Sequence, residues 1–279
     1  MELIRRRRYG EIVLKITFLV VVIVTMGWLG AIVAVNKIEP EKVVSFCESF
    51  DECTEETMPA EEVVVKKSEV PIIGTVYLTF DDGPGEYTGW LLDILKQYGV
   101  KATFFVTGRG DDDLIRRAYD EGHAIGLHTM SHNYAYIYDN ADNFFADLYA
   151  VQERVRRITG QNSYLMRFPG GSSNTVSRRY DHGTRIMSYL TEAVEGAGFR
   201  YYDWNVTSGD AGGTTETEMV AENVILRLEE PGDYIVLQHD IKDFSVAAVP
   251  EIIEYGLGHG YEFKKLEAGA IEAHHGVNN

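Results

Sequence analysis

Carboxylates and imidazoles concentrate in three short segments of the chain. Asp81 and Asp82 stand side by side in a Thr-Phe-Asp-Asp-Gly-Pro segment. His128 and His132 lie four residues apart, and His239 ends a Leu-Gln-His segment. Imidazole nitrogens and carboxylate oxygens are common ligands of Zn²⁺, and a further carboxylate or imidazole can move protons. Such a set of groups is typical of metal-assisted hydrolysis.

Each segment has a structural explanation when it is taken alone. Asp-Asp-Gly-Pro is a good turn sequence, although two adjacent carboxylates repel each other and a bound cation relieves that repulsion. His128 and His132 would share one face of a helical turn, a spacing that occurs in zinc sites and also by chance. His239 in isolation would be expected to hydrogen-bond a backbone carbonyl. The three segments together favour a site.

Beyond residue 72, short apolar runs alternate with amphipathic helical patterns. The predicted strands are 76–80, 102–107, 124–128, 164–168, 199–203, 234–239 and 261–263. The predicted helices are 90–98, 111–121, 141–159, 185–195, 217–229 and 246–257. Strands that alternate with helices form parallel sheets. Seven such strands predict an α/β fold, a distorted (β/α)7-type barrel with parallel strands.

The candidate catalytic and metal-binding residues lie where predicted strands end. This holds for the Asp81-Asp82 pair, for His128, for Arg167 and for His239. In a barrel of parallel strands, the carboxyl ends of the strands form the catalytic face. We therefore expect these side chains to converge at one end of the barrel.

The N-terminal part of the chain predicts a membrane anchor. Residues 16–35 form an uncharged run of about 30 Å as a helix, the thickness of a bilayer core. Residues 1–15 contain five Arg or Lys, which predicts a short basic segment in the cytoplasm. A cleaved signal peptide is the alternative, but the apolar run is longer than the usual h-region and lacks a small-x-small exit. We expect a single-pass protein of the cell membrane with its catalytic domain outside the cytoplasm.

The rest of the chain is acidic. The formal net charge of the whole chain is −17. Residues 1–35 carry +3, so residues 36–279 carry −20. This charge argues against nucleic acid as a partner. Residues 36–71 predict an acidic extracytoplasmic linker, residues 72–268 the catalytic domain and residues 269–279 a flexible tail. The sequence does not decide whether Cys47 and Cys53, both in the linker, form a disulfide.

The order of four motifs resembles that of the NodB-like polysaccharide deacetylases, carbohydrate esterase family 4. The similarity covers about residues 74–266. It rests on Thr-Phe-Asp-Asp-Gly-Pro (79–84), His-Thr-x-x-His (128–132), Arg-Phe-Pro-Gly-Gly (167–171) and Leu-Gln-His (237–239). The resemblance implies a metal-dependent hydrolase that removes acetyl groups from a glycan.

The resemblance also implies a role for each matching residue. Asp81 matches the catalytic base, His239 the general acid and Arg167 the residue that orients the base. The metal triad matches Asp82, His128 and His132, which would hold a divalent ion that activates water. Zn²⁺ is the first expectation, and ligand types alone do not separate it from Co²⁺ or Ni²⁺. The backbone amide of Gly170 matches an oxyanion donor, Leu237 a residue of the acetyl pocket, and Asp210 the carboxylate that supports the acid.

Two segments depart from the family pattern. Ala211 stands where the fourth motif usually has Trp after Asp210, and an alternative register would use Asp203 and Trp204 as that pair. The register with Asp210 is preferred because it matches more neighbouring positions. Gly170 stands where an aromatic residue is usual, so we expect a pocket that is more open there. The tyrosines at 134, 136 and 138 predict loop packing or sugar stacking, and are not included among the site residues.

The expected substrate is an acetylated glycan of the cell wall, N-acetylglucosamine of peptidoglycan above all. This choice depends on the predicted topology, which places the domain beside that polymer. An O-acetyl ester deacetylase acting on xylan or a similar polysaccharide, and an inactive surface module that binds glycan, are the alternatives.

Overall fold

The computed structural model describes residues 71–267, 269–277 and 279, in which strands and helices alternate. The strands are β1 (Gly74–Asp81), β2 (Thr103–Val106), β3 (Ala124–Leu127), β4 (Leu165–Met166), β5 (Arg200–Tyr201), β6 (Val206–Thr207), β7 (Tyr234–His239) and β8 (Tyr261–Phe263). The helices are α1 (Thr88–Tyr98), α2 (Asp112–Asp120), α3 (Tyr134–Ile137), α4 (Ala141–Thr159), α5 (Ile186–Gly196), α6 (Thr217–Ile225), α7 (Asp243–Ala247) and α8 (Val249–Gly258).

All strand pairs of the sheet are parallel, in the order β5-β4-β3-β2-β1-β7-β6, and β8 also pairs with β1. The strands at the two ends of this order, β5 and β6, are joined by only four residues. In a flat sheet, six spacings of about 4.8 Å would separate these strands by about 29 Å. Four connecting residues reach about 18 Å at most. The sheet therefore curls into a barrel-like shape, as the sequence predicts in outline.

The central strand β1 sets the register of the site. Its residue Asp81 lies opposite His239 of β7 and opposite Phe105 of β2. Because parallel neighbours in register point their side chains to the same face, Asp81 and His239 are brought to one end and one face of the sheet.

The two faces of β1 have different surroundings. Val76, Leu78 and Phe80 are buried in the main apolar cluster under the helices. The alternate residues Tyr77, Thr79 and Asp81 are also buried, and Tyr77 belongs to a small second cluster with Phe105, Tyr202, Ile235 and Leu266. This period of two places Thr79 and Asp81 inside the barrel.

The helix ends follow from local sequence. Helix α1 ends at Gly99 and helix α4 at Gly160, both in the left-handed conformation that glycine adopts without strain. Asn140 caps the start of α4, since its side chain accepts a hydrogen bond from the Asn143 amide. The predicted bounds of α4, 141–159, are confirmed.

Several elements differ from the prediction. The strand β6 and the one-turn helix α3 were not predicted, and both are short. The predicted helix 246–257 is two helices, α7 and α8, and Pro250 lies in the first turn of α8. The predicted strands 164–168 and 199–203 each shorten to two paired residues. An eighth strand therefore joins the predicted seven.

The segment predicted as a flexible tail packs against the domain. His274 stacks on Tyr201 at 4.0 Å between ring centroids. The His275 amide donates to Asp203 Oδ2, and Ser188 donates to the Asn279 carbonyl oxygen through its amide and its hydroxyl. Stacking and hydrogen bonds thus connect described residues of this segment to the domain, and its flexibility stays a prediction.

The predicted basic segment 1–15, the anchor 16–35, the linker to residue 70 and both cysteines lie outside the described residues. Within the described ranges, none of the helices has the length and apolar character that crossing a bilayer requires.

Candidate active site

The two neighbouring aspartates point in different directions. Asp81 ends β1 and is buried, and its Oδ1 accepts a hydrogen bond from Arg167 Nη1 at 2.9 Å. Asp82 follows in the left-handed region, with φ of 74°, which turns its carboxylate away from the strand alternation. Its Oδ1 faces His128 and His132. One carboxylate is thus held by an arginine, and the other lies close to two imidazoles.

The turn after Asp82 requires glycine. A Cβ on Gly83 would lie 2.2 Å from the carboxylate of Asp240, which is buried beneath the turn. Asp240 accepts a hydrogen bond from the Thr88 hydroxyl, and burial raises the pKa of Asp240 to about 7. The Asp-Asp-Gly-Pro segment is therefore a turn and also a carrier of site residues.

Asp82, His128 and His132 fit a metal ion. Their candidate ligand atoms all lie within 4.8 Å of one another, and Asp82 Oδ1 is 3.5 Å from His128 Nε2 and 3.2 Å from His132 Nε2. Ligands about 2.1 Å from a tetrahedral ion are about 3.4 Å apart. Asp82 Oδ1 is buried and has no hydrogen-bond partner within the described ranges. These residues have the spacing and the free acceptor atom that such a site needs.

The imidazoles are oriented by their surroundings. The His128 Nδ1 atom is 2.9 Å from the Arg167 carbonyl oxygen, so it donates there and the lone pair of Nε2 faces Asp82. Burial, followed by the nearby His128, lowers the pKa of His132. A neutral imidazole is the form that binds metal.

The predicted helical turn over residues 128–132 is wrong. The segment is a loop in which Thr129 and His132 both have positive φ, 62° and 51°. The Gly108 amide holds this loop by donating to the Met130 carbonyl. The two imidazoles meet through this strained loop, with ring centroids 5.1 Å apart.

Arg167 is the buried centre of the barrel end, with no exposed surface. Its guanidinium donates to Asp81 Oδ1 and Thr79 Oγ1, and to the carbonyl oxygens of Tyr202 and Asp203. The guanidinium also lies 4.4 Å from the Phe105 ring centroid. Fixed on all these acceptors, Arg167 holds the Asp81 carboxylate in one orientation.

His239 is supported by Asp210. His239 Nδ1 is 2.9 Å from Asp210 Oδ1, and the His239 amide donates to Asp210 Oδ2. Burial opposes the charged imidazole, but the hydrogen bond and charge of Asp210 outweigh burial and raise the pKa of His239. The Nε2 atom of His239 lies 3.9 Å from Asp82 Oδ2 and so faces the triad.

The register that the sequence analysis preferred places Asp210 on His239, and the structure brings these two residues together. Two residues that sequence reasoning missed complete this support: Ser245 donates to Asp210 Oδ2, and Lys242 Nζ donates to the Asp210 carbonyl. Asp203, the alternative, is fully buried elsewhere, and its carboxylate accepts from the amide and hydroxyl of Ser172.

The position without an aromatic side chain, Gly170, has Tyr134 as its neighbour. Gly170 has φ of 77°, and a Cβ there would lie 3.0 Å from the Tyr134 hydroxyl oxygen. The Tyr134 ring therefore lies beside Gly170, and burial with the charges of Asp82 and Asp81 raises the pKa of Tyr134 to about 12. Leu237 is buried on β7, in register with Thr79 inside the barrel.

With this geometry, comparison with known proteins identifies the family. The family model for polysaccharide deacetylase matches residues 49–185. A peptidoglycan-N-acetylglucosamine deacetylase of Bacillus cereus is 38% identical over 210 residues, which cover 72% of this chain and 71% of that protein. The chain belongs to the polysaccharide deacetylase family.

Two further proteins similar to this chain have names that specify different sugars of peptidoglycan. The crystal structure of the catalytic domain of a peptidoglycan N-acetylglucosamine deacetylase from Eubacterium rectale has a TM-score of 0.71 and 46% identity, and the match covers 74% of this chain and 94% of that one. A peptidoglycan-N-acetylmuramic acid deacetylase of Bacillus subtilis is 32% identical, with coverage of 69% of this chain and 70% of that protein. NodB-like membership, in carbohydrate esterase family 4, implies a deacetylase that acts on acetylated glycans.

Proposed function

We propose that this polysaccharide deacetylase is a metal-dependent hydrolase that removes N-acetyl groups from N-acetylglucosamine of peptidoglycan. One observation carries the proposal. The triad of Asp82, His128 and His132 lies between two groups suited to proton transfer. One is Asp81, which is paired with the cation of Arg167, and the other is His239, which is paired with the carboxylate of Asp210. Amide hydrolysis needs such a pair, because water must lose a proton and the amine must gain one.

A divalent ion on the triad, Zn²⁺ by preference, supplies Lewis-acid polarisation of a carbonyl and a lower pKa for water. Asp81 is the base in this proposal. Arg167 binds its Oδ1, and its Oδ2 lies 3.8 Å from His128 Nε2, directed toward the triad. A carboxylate so held can accept a proton from a water molecule that attacks the acetyl carbon.

His239 is the acid. Its Nδ1 proton is held by Asp210, so the Nε2 proton is the one it can donate toward the triad. Because the pKa of His239 is raised, the imidazole keeps that proton at higher pH than a free histidine does. The sugar nitrogen can leave as an amine only after it receives a proton.

The N-acetylglucosamine substrate is proposed from the relatives of Bacillus cereus and Eubacterium rectale, whose names specify that sugar in peptidoglycan. The location is proposed from the sequence: residues 16–35 would anchor the chain in the cell membrane, with residues 72–268 outside. An enzyme so anchored would work beside the peptidoglycan. Protease accessibility of the domain in intact cells tests this topology.

Acetate release is the test of the activity. Purified protein loaded with Zn²⁺ is incubated with N-acetylglucosamine oligomers, peptidoglycan fragments and acetylated xylan at equal acetyl content. We expect acetate from the first two substrates and little from xylan. Faster release from xylan would replace the proposal with an ester deacetylase. No release from any substrate, with metal bound, would leave a glycan-binding module as the remaining function.

A further inference from the structure

Tyr134 has a ring fixed against the metal triad and a hydroxyl beside the loop that carries Gly170. The residue begins α3, two positions after His132, and its ring packs edge-on against the His132 ring at 5.4 Å. On its other side the ring lies 5.7 Å from Tyr138. Its hydroxyl oxygen is 3.0 Å from the point that a Cβ of residue 170 would occupy. The absence of a side chain at Gly170 leaves this hydroxyl uncovered.

Two hydrogen-bond donors lie in this part of the site, the Gly170 amide and the Tyr134 hydroxyl. Neither the amide of Gly170 nor the hydroxyl of Tyr134 makes a hydrogen bond to another group of the described ranges. Gly170 is exposed and Tyr134 half-buried, so both donors are open to a molecule that enters the site. Donors that are held in place but unpaired are suited to bind an acceptor atom of a ligand.

The neighbouring tyrosines show that this arrangement is particular to Tyr134. Tyr138 is fully buried, and its hydroxyl donates to the Pro169 carbonyl, which fixes the loop that leads to Gly170. Tyr136 is 40% exposed. Tyr138 therefore has a packing role and Tyr136 points to solvent, whereas Tyr134 is directed to the site.

We propose that the Tyr134 hydroxyl donates a hydrogen bond to the carbonyl oxygen of the scissile acetyl group, as a second donor beside the Gly170 amide. This inference rests on the proposed deacetylation. The carbonyl oxygen gains negative charge as water adds to the carbon, and a hydrogen bond to a charged acceptor is about twice as strong as one to a neutral acceptor. The Tyr134 contact therefore stabilises the transition state more than the bound substrate.

The test compares Tyr134→Phe with Tyr136→Phe. Each variant loses one hydroxyl from the same helix, and the phenylalanine ring at position 134 keeps its contact with His132. Removal of one oxyanion donor lowers kcat by about 10²–10³-fold in known cases, and a donor that shares the site with an amide is expected at the lower end or below. We expect kcat of Tyr134→Phe to fall about 10- to 100-fold with KM within about twofold of the wild type.

Three measurements separate this role from a structural one. Bound metal per protein and the thermal midpoint of Tyr134→Phe should equal those of the wild type, and Tyr136→Phe should retain wild-type kcat. A kcat of Tyr134→Phe within twofold of an active wild type, or a loss of kcat that follows a loss of metal, would overturn the inference alone. A wild type that releases no acetate would overturn the proposed function, and this inference with it.

Discussion

Asp210→Asn tests how the proposed acid keeps its proton. The substitution removes the negative charge beside His239 Nδ1 and changes the side-chain size very little. The sign of the effect follows from the raised pKa of His239. A general acid works in its protonated form, so activity is lost as the pH rises through its pKa. Without the Asp210 charge that pKa falls, and the alkaline limb of the pH–rate profile should move to lower pH.

The magnitude follows from the contact. The His239 to Asp210 hydrogen bond of 2.9 Å joins two groups whose side chains are 12% and 1% exposed, so solvent screens it little. A hydrogen bond to a charged group contributes about 1.5–3 kcal/mol, and 1.36 kcal/mol corresponds to a tenfold change. Above the limb, kcat/KM of the variant should be about 10- to 100-fold below that of the wild type. At lower pH this part of the deficit should shrink, because both proteins are then protonated.

The assay is acetate release from N-acetylglucosamine oligomers across the pH range, with metal content checked at each pH. Asp203→Asn is the matched control, since Asp203 is an equally buried carboxylate that binds Ser172 and the His275 amide instead of His239. It should leave the limb at the wild-type pH, whatever its effect on the overall rate. If the limb of Asp210→Asn coincides with that of the wild type, Asp210 does not hold the proton of His239.

Three further predictions follow from the site. Arg167→Met should lower the free energy of unfolding, measured by urea titration, by about 3–5 kcal/mol, because it leaves buried acceptors unpaired. The exposed Arg156→Met should change the free energy of unfolding by less than about 0.5 kcal/mol. Equal effects of the two substitutions would contradict the role of Arg167 as a buried hydrogen-bonding centre. Gly170→Ala and Gly99→Ala should each cost about 1–2 kcal/mol of backbone strain, but only the methyl at 170 meets Tyr134, so only that variant should lose kcat. Chelation should abolish acetate release, and Zn²⁺, Co²⁺ or Ni²⁺ should restore it; release that persists after metal removal, measured by elemental analysis, would contradict the role of the triad.

The sequence was informative where the physics is local. Gly99 and Gly160 mark helix ends because they adopt positive φ, and the 3.6-residue period gave α4 its bounds. The chemical residues converge because parallel strands place their carboxyl ends at one edge. That rule needs only strand ends, which the apolar runs mark.

The sequence was uninformative where the structure depends on distant contacts. Strand β6 has two residues, too few for a periodic pattern. The loop from His128 to His132 depends on two positive φ values at residues other than glycine, which no propensity predicts. Tyr134 and Gly170 are 36 residues apart in the sequence and neighbours in the structure. The glycine at position 170 therefore gave no indication that the Tyr134 ring lies beside it. Thr79, which accepts a hydrogen bond from Arg167, could have been predicted as a site residue, because it shares a strand face with Asp81.

The central claim is that the two neighbouring aspartates have separate roles, one in binding metal and one in proton transfer. The most direct test measures bound Zn²⁺ per protein and acetate release for Asp81→Asn and Asp82→Asn side by side. Asp81→Asn should bind Zn²⁺ like the wild type and release no acetate, because only the proposed base is altered. Asp82→Asn should lose both the metal and the activity. An Asp82→Asn variant that binds Zn²⁺ with wild-type affinity, or an Asp81→Asn variant that keeps its turnover, would contradict this division.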